Sequence, residues 1–282
     1  MIGILVMQLH TINGNLVSLA RQQYSNCHLC EHHCGSNRVQ DERGVCKASS
    51  EARVFRHRVE YGEELELVPS HLFYLSGCDL RCSFCIAEEK AFNPRIGTVL
   101  STDFLEAALE QGKSKGARNL QWVGGEPTIH IPAILEAMSG CTKLPPIVWK
   151  SDFYGTPEAF QLLEQAVDVF VADFKFGNNV CAKRIAKVDS YVEILQRNLK
   201  QVFQHSDLIL RHLLLPEHEE CCFRPIVDWI ASNIPDVKFS IRNGYLPRWQ
   251  AKQYEELSKP LTMGASESAR AYAENKGLNL IT

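Results

Sequence analysis

Apolar runs alternating with amphipathic stretches predict an α/β fold for this 282-residue chain: a partial, TIM-like (β/α)6 barrel with a small N-terminal Cys-rich metal-binding segment. Three observations carry that expectation. From residue 71 onward, six short apolar runs alternate with helical patterns, which implies a parallel sheet with helices outside it. Six such units are too few for a closed eight-fold barrel and suggest one open on a side. Ahead of them, Cys27, Cys30, Cys34 and Cys46 fall within one short polar stretch. The expected division is residues 1–68, the Cys-rich segment with a β-hairpin, and residues 69–282, the barrel.

In chain order, residues 1–25 read as a short strand or irregular lead-in and then a helical piece at 16–23. Residues 52–68 alternate loosely around Tyr61 and Gly62, as a β-hairpin or two short strands leading into the core would. The first buried strand is 71–77. A helix follows, capped by Thr102 or Asp103, with Phe104, Leu105, Ala108 and Leu109 on one face. Strands are expected at 120–123, 146–150, 167–174, 208–214 and 237–241. The helices between them are a stretch at 131–138, one begun by Thr156 and Pro157, one begun by a Ser190/Glu193 capping box, and 223–234. A helical region runs on to about residue 274.

Composition excludes several classes. A net charge of -3 offers no basic field for nucleic acid or an anionic membrane. Eleven cysteines, with close C-x2-C spacings and no secretory signal, point to metal or redox sites rather than a disulfide framework. The apolar residues 1–7 lack a basic flank and are too few to span a bilayer. A cytoplasmic location is expected.

Two cysteine sets have ligand-like spacing. Cys27, Cys30, Cys34 and Cys46 make a four-thiolate set that either zinc or an iron–sulfur centre would accept. Cys78, Cys82 and Cys85 are spaced C-x3-C-x2-C directly after the first buried strand. Three thiolates can hold a cubane cluster and leave one iron open, whereas a structural zinc loop would want a fourth ligand nearby. One strand later comes Gly124-Gly125-Glu126-Pro127, where two glycines permit a close backbone approach and a carboxylate can accept from an ammonium. Alone, that tetrapeptide is also an ordinary β-turn. Cys141, Cys181, Cys221 and Cys222 show no ligand-like spacing and read as small buried residues.

The C-x3-C-x2-C loop with Phe84 before its third cysteine, followed by GGEP, resembles radical S-adenosylmethionine (SAM) enzymes. The resemblance implies a radical SAM barrel with a [4Fe-4S] cluster on Cys78, Cys82 and Cys85. It also implies reductive cleavage of SAM to methionine and a 5′-deoxyadenosyl radical. Gly124, Gly125 and Glu126 match the motif that holds the SAM amino group. Residues 148–154, with Ser151 and Asp152, stand where activating-enzyme-type members place polar groups near the SAM carboxylate and ribose. Asp173-Phe174-Lys175 resembles the Asp-Leu-Lys of pyruvate formate-lyase activating enzymes, and Arg211 their strand-borne arginine. Charges such as Lys175 and Arg211, at the ends of apolar strands, call for a paired anion, which could equally be internal: Asp173 or Glu126.

Most of the chain resembles the uncharacterised branch related to those activating enzymes, with three departures. Ile86-Ala87-Glu88 replaces the usual polar pair after the cluster, and Lys150 stands where activases place an acidic residue beside a monovalent cation. The Lys150 ammonium is expected to replace that cation. Residues 240–247 match only loosely, leaving Arg242, Asn243 and Tyr245 as candidate substrate contacts. The implied function is hydrogen abstraction as a glycyl radical enzyme activase, with a flavodoxin or ferredoxin as electron donor and a protein or peptide substrate. Two alternatives stay open: modification of another peptide or small molecule with the N-terminal metal as an auxiliary centre, and a non-catalytic metal-binding interaction module.

Overall fold

The computed structural model describes residues 11–62 and 64–281, so the expected lead-in strand and the apolar residues 1–7 lie outside the described part. The chain forms two compact units. The first takes the residues up to 79 together with 89–151 and 155–170; the second takes 80–88, 152–154 and 171 onward.

The first unit opens with α1 (Gly14–Gln22), begun by Asn13, whose side chain accepts from the Asn15 amide at 2.9 Å. Leu16, Val17 and Ala20 form its buried face. Next comes β1 (Arg53–Glu60), which pairs antiparallel with β2 (Ser70–Leu75). The hairpin expected within 52–68 is therefore a single strand, and its partner is the strand that leads to the cysteine loop. Leu65 and Leu67 continued the alternation in sequence, but they belong to the connection, where Leu67 is buried. A short α2 (Glu88–Ala91) and β3 (Thr98–Val99), paired with β1, follow.

The next helix, α3 (Thr102–Ser114), is capped by Ser101, whose hydroxyl accepts from the Phe104 amide at 3.2 Å. The cap is thus Ser101 and not Thr102 or Asp103; the Thr102 hydroxyl is engaged instead with the Ala137 carbonyl. Then come β4 (Asn119–Gly124), α4 (Ile131–Ser139), β5 (Ile147–Ser151) and α5 (Pro157–Leu163), the last capped by Thr156 as expected. The strand order is β3-β1-β2-β4-β5, with β2, β4 and β5 parallel. Phe73 and Trp122 pack at 5.3 Å, and a Cβ on Gly112 would lie 2.2 Å from His71 Nδ1, so α3 sits directly over β2. The strand β6 (Val169–Asp173) starts in the first unit and ends in the second.

The second unit contains α6 (Asn179–Ala186), α7 (Tyr191–His205) and β7 (Asp207–Leu213). A π-helical turn at Glu219–Phe223 runs into α8 (Arg224–Asn233), followed by β8 (Lys238–Arg242), α9 (Ala265–Asn275) and β9 (Asn279–Ile281). Strands β7, β8 and β9 are parallel neighbours. Neither α6 nor β9 was expected from the sequence.

The Ser190/Glu193 capping box does not form. Ser190 has a left-handed backbone (φ 51°) and makes no side-chain cap. Asn179 does that work from α6: its carbonyl oxygen accepts from the Val192 amide at 2.9 Å while its amide donates to both oxygens of Glu193. Among the described residues, no helix is long and apolar enough to cross a membrane.

Candidate active site

In the first unit, β2 and β4 run in register so that Leu75 faces Gly124, which sets Gly77 beside the GGEP turn. The Glu126 amide donates to the Gly77 carbonyl at 2.8 Å. A Cβ on Gly125 would lie 1.8 Å from that same carbonyl oxygen, and one on Gly124 would lie 2.6 Å from the Leu75 nitrogen. Both glycines are thus required by the approach of β4 to β2. His130 braces the same corner, bonding through Nε2 to the Ser76 carbonyl at 2.7 Å; burial pulls its pKa down to about 4.

The Glu126 carboxylate is buried and accepts from the Thr128 amide at 2.9 Å and the Ser151 hydroxyl at 2.8 Å. Thr128 in turn takes the Trp149 indole N–H at 3.2 Å. Gly124, Gly125, Glu126 and Ser151 are therefore one connected corner of the first unit. Alternation along β5 turns Lys150 to the sheet face opposite Trp149 and Ser151. There Lys150 Nζ lies 3.8 Å from Glu64, both groups being buried.

In the second unit a charged cluster gathers at the end of β6. Lys175 Nζ donates to Asp173 at 2.7 Å, and Arg211 Nε lies 3.2 Å from the other oxygen of Asp173. Asp173, one of the two internal anions considered as partners, is approached by both cations. Burial alone would lower the Lys175 pKa, but Asp173, the Cys82 sulfur and Asp152 outweigh it and keep the ammonium charged. Burial pushes the Cys82 thiol up, and the Lys175 charge works against that rise. Asp152, Asp173, Lys175 and Arg211 are thus brought together, with Cys82 within their field.

Three residues not assigned a site role from the sequence surround this arrangement. The Tyr191 hydroxyl accepts from the Lys175 amide at 2.8 Å and donates to the Asp173 carbonyl at 3.3 Å. Asn198, fully buried, donates to the carbonyl of Phe153, whose φ is 60°. Phe84 packs between Phe176 and Tyr245, with ring centroids 6.4 and 6.1 Å away. Tyr191, at the start of an amphipathic helix, and Phe84, before the third cysteine, gave a signal in the sequence; Asn198 gave none. Of the candidate substrate contacts, Tyr245 is buried, its hydroxyl on the Leu257 carbonyl, and Asn243 reaches Ser266 at 3.4 Å.

The N-terminal cysteines are organised around Arg38, a buried guanidinium missed in the sequence. It donates to Cys27 Sγ at 3.0 Å, to Cys46 Sγ at 3.6 Å and to the Ile129 carbonyl at 2.6 Å. Cys30 is buried and bridges to Gly155 through its backbone, while Cys34 is exposed and sits against Ser36. Among the described residues, no three of these four thiols converge within 4.8 Å. Tetrahedral zinc needs thiolates about 3.8 Å apart, given Zn–S bonds near 2.3 Å.

An α/β chain with a three-cysteine loop behind its first parallel strand, a glycine-rich corner and an Asp-x-Lys strand end belongs to a known class. The Radical SAM superfamily model matches residues 72–230, and the chain belongs to that superfamily. It is 37% identical to an uncharacterized protein of Methanocaldococcus jannaschii over 94% of this chain and 79% of that one. Among solved structures, its fold is similar to Streptococcus suis SuiB bound to precursor peptide SuiA (TM-score 0.52, 16% identity), covering 72% of this chain and 46% of SuiB. The chain thus spans about half the length of that structure. SuiB bound to S-adenosylmethionine compares at TM-score 0.49 and 16% identity, over 72% of this chain and 47% of that one.

Membership supports an enzyme that starts radical chemistry from SAM, with a [4Fe-4S] cluster and SAM as the implied cofactors. The donor set fits. Cys78, Cys82 and Cys85 are free thiols in one loop, Cys78 and Cys82 are buried, and the Cys85 amide folds back to the Cys82 carbonyl at 3.0 Å.

Proposed function

We propose that the chain is an activating-enzyme-type radical SAM protein on a partial (β/α)6 barrel, which abstracts a hydrogen atom from a glycine of a partner glycyl radical enzyme. The observation that carries the reading is the convergence of Lys175 and Arg211 on Asp173, in the motif that resembles the Asp-Leu-Lys of those activases. Cys78, Cys82 and Cys85 would hold the [4Fe-4S] cluster, which would supply the reductive cleavage of SAM. By the resemblance, the Gly124-Gly125-Glu126 corner would receive the SAM amino group, with Ser151 orienting Glu126, and Asp152, Asp173, Lys175 and Arg211 would serve its carboxylate and ribose. Three charges held by Tyr191 and by each other need little reorganisation when a charged ligand arrives.

The division into a Cys-rich segment at 1–68 and a barrel at 69–282 goes with this reading. So does a second metal at Cys27, Cys30, Cys34 and Cys46. Arg38, donating to Cys27 and Cys46, would offset the negative charge of the thiolates around either zinc or an iron–sulfur centre. Electrons would come from a flavodoxin or ferredoxin in the cytoplasm. The test is anaerobic: reconstituted protein, dithionite and SAM are incubated with pyruvate formate-lyase as the probe, and a glycyl electron-spin signal is sought. A signal on the probe supports activation; 5′-deoxyadenosine without it, but with a mass change on an added peptide, favours peptide modification.

A further inference from the structure

Cys181, Cys221 and Cys222 are scattered in sequence, yet their sulfurs all lie within 4.8 Å of one another. Cys181 Sγ is 3.8 Å from Cys221 Sγ, and Cys221 Sγ is 3.9 Å from Cys222 Sγ. Thiolates at two corners of a zinc tetrahedron, with bonds near 2.3 Å, are about 3.8 Å apart. Van der Waals contact alone could bring two sulfurs this close. What it does not explain is the pair of N–H donors, the Asn178 amide and the Gly177 backbone, set against them.

The Asn178 amide points at Cys181 Sγ (3.3 Å), at Cys222 Sγ (3.6 Å) and at the Cys221 carbonyl (2.6 Å). The Gly177 backbone also donates to Cys222. N–H donors aimed at sulfur are the hydrogen bonds that orient and steady metal-bound cysteine ligands. The backbone is shaped for the same purpose. Cys181 sits in the first turn of α6, where Asn178 caps its amide at 2.8 Å and the helix end favours negative charge. Cys221 and Cys222 are carried on the π-helical turn, a departure from α geometry that places adjacent residues toward one point. A Cβ on Gly177 would lie 2.2 Å from the Cys222 carbonyl, so only glycine lets the two segments meet.

We propose that Cys181, Cys221 and Cys222 form a binding site for a single thiophilic cation, Zn2+. Three protein thiolates leave a fourth position for water or an incoming ligand, and Cys221 lies at the surface to admit one. The site is mononuclear by its spacing and separate in sequence from both other cysteine sets.

The test compares full-length wild type with Cys181→Ser and Cys221→Ser, purified anaerobically, stripped of metal and titrated with Zn2+ against a chromophoric chelator. Wild type should take up one more tight equivalent than either variant. With Co2+, its thiolate-to-cobalt charge-transfer band should exceed theirs, while far-UV circular dichroism stays the same. Asn178→Ser keeps all three thiols and a capping oxygen but removes the N–H donors; it should bind Zn2+ about 10–100-fold more weakly. Equal zinc uptake by wild type and both serine variants overturns the proposal. So does a Cys181–Cys221 disulfide, two mass units lighter than the dithiol, in protein kept anaerobic throughout.

Discussion

Lys175 donates to Asp173 at 2.7 Å at the end of β6, and Asp173 is also the anion that Arg211 approaches at 3.2 Å. One carboxylate thus neutralises two part-buried cations. Asp173→Asn should cost about 3 kcal/mol, because it removes the carboxylate charge that both cations approach. Lys175→Met, which leaves the Arg211–Asp173 pair intact, should cost less. Urea midpoints check the order, and equal losses would contradict it.

Gly125→Ala is expected to be the most damaging small substitution in the first unit, since its Cβ would sit 1.8 Å from the Gly77 carbonyl. A loss of about 4 kcal/mol or failure to fold should follow. Gly14→Ala, with nothing within 4 Å of the added carbon, should be neutral or slightly stabilising. Melting temperatures of the two variants test this contrast.

Arg38→Met removes three hydrogen bonds, two of them to Cys27 and Cys46. A stability loss of about 2–4 kcal/mol is expected. Iron content after reconstitution should also fall, and Cys27 and Cys46 should alkylate faster than in wild type. Unchanged iron and alkylation would detach Arg38 from the metal reading.

Buried Lys150 lies 3.8 Å from buried Glu64, so Lys150→Ala removes a cation beside a buried carboxylate. The expected cost is about 3 kcal/mol. If the ammonium also replaces a monovalent cation beside SAM, SAM affinity should fall about 10-fold and recover partly with added potassium. Wild-type affinity and cleavage in a folded variant would remove that role.

Stability should drop with acid. Burial pulls His71, His130 and His212 each down to about 4. The unfolded chain, with histidines near 6.5, therefore binds more protons between those values. The contribution is full above pH 6.5 and is lost as pH falls toward 4, by up to about 1.4 kcal/mol per unit for each group. Urea denaturation at pH 7.5, 6 and 5 should show a slope of up to about 4 kcal/mol per unit; a flat profile would contradict it.

Much of this was legible in the sequence because local signals and tertiary roles coincide. Apolar runs mark β2, β4, β5, β6, β7 and β8, and Thr156 with Pro157 marks the start of α5. Ser151 meets Glu126 in the first unit and Lys175 meets Asp173 in the second, the latter being the internal ion pair that the strand-end charges called for. The misses have physical causes. Ser190 and Glu193 have capping-box spacing, but Asn179, eleven or more residues upstream, took the Val192 amide. Leu67 continued the alternation of β1 while plugging the core from a turn. The Cys181/Cys221/Cys222 cluster and the Arg38 contacts are long-range juxtapositions that no spacing rule reveals.

The most direct test of the central claim is 5′-deoxyadenosine production by anaerobically reconstituted protein given dithionite and SAM. Wild type is predicted to produce it, with Cys82→Ala abolishing it and Lys175→Ala lowering it at least about 10-fold, or 1.4 kcal/mol. Absence of 5′-deoxyadenosine from a protein that carries a full [4Fe-4S] cluster would contradict the account and leave a metal-binding interaction module in its place.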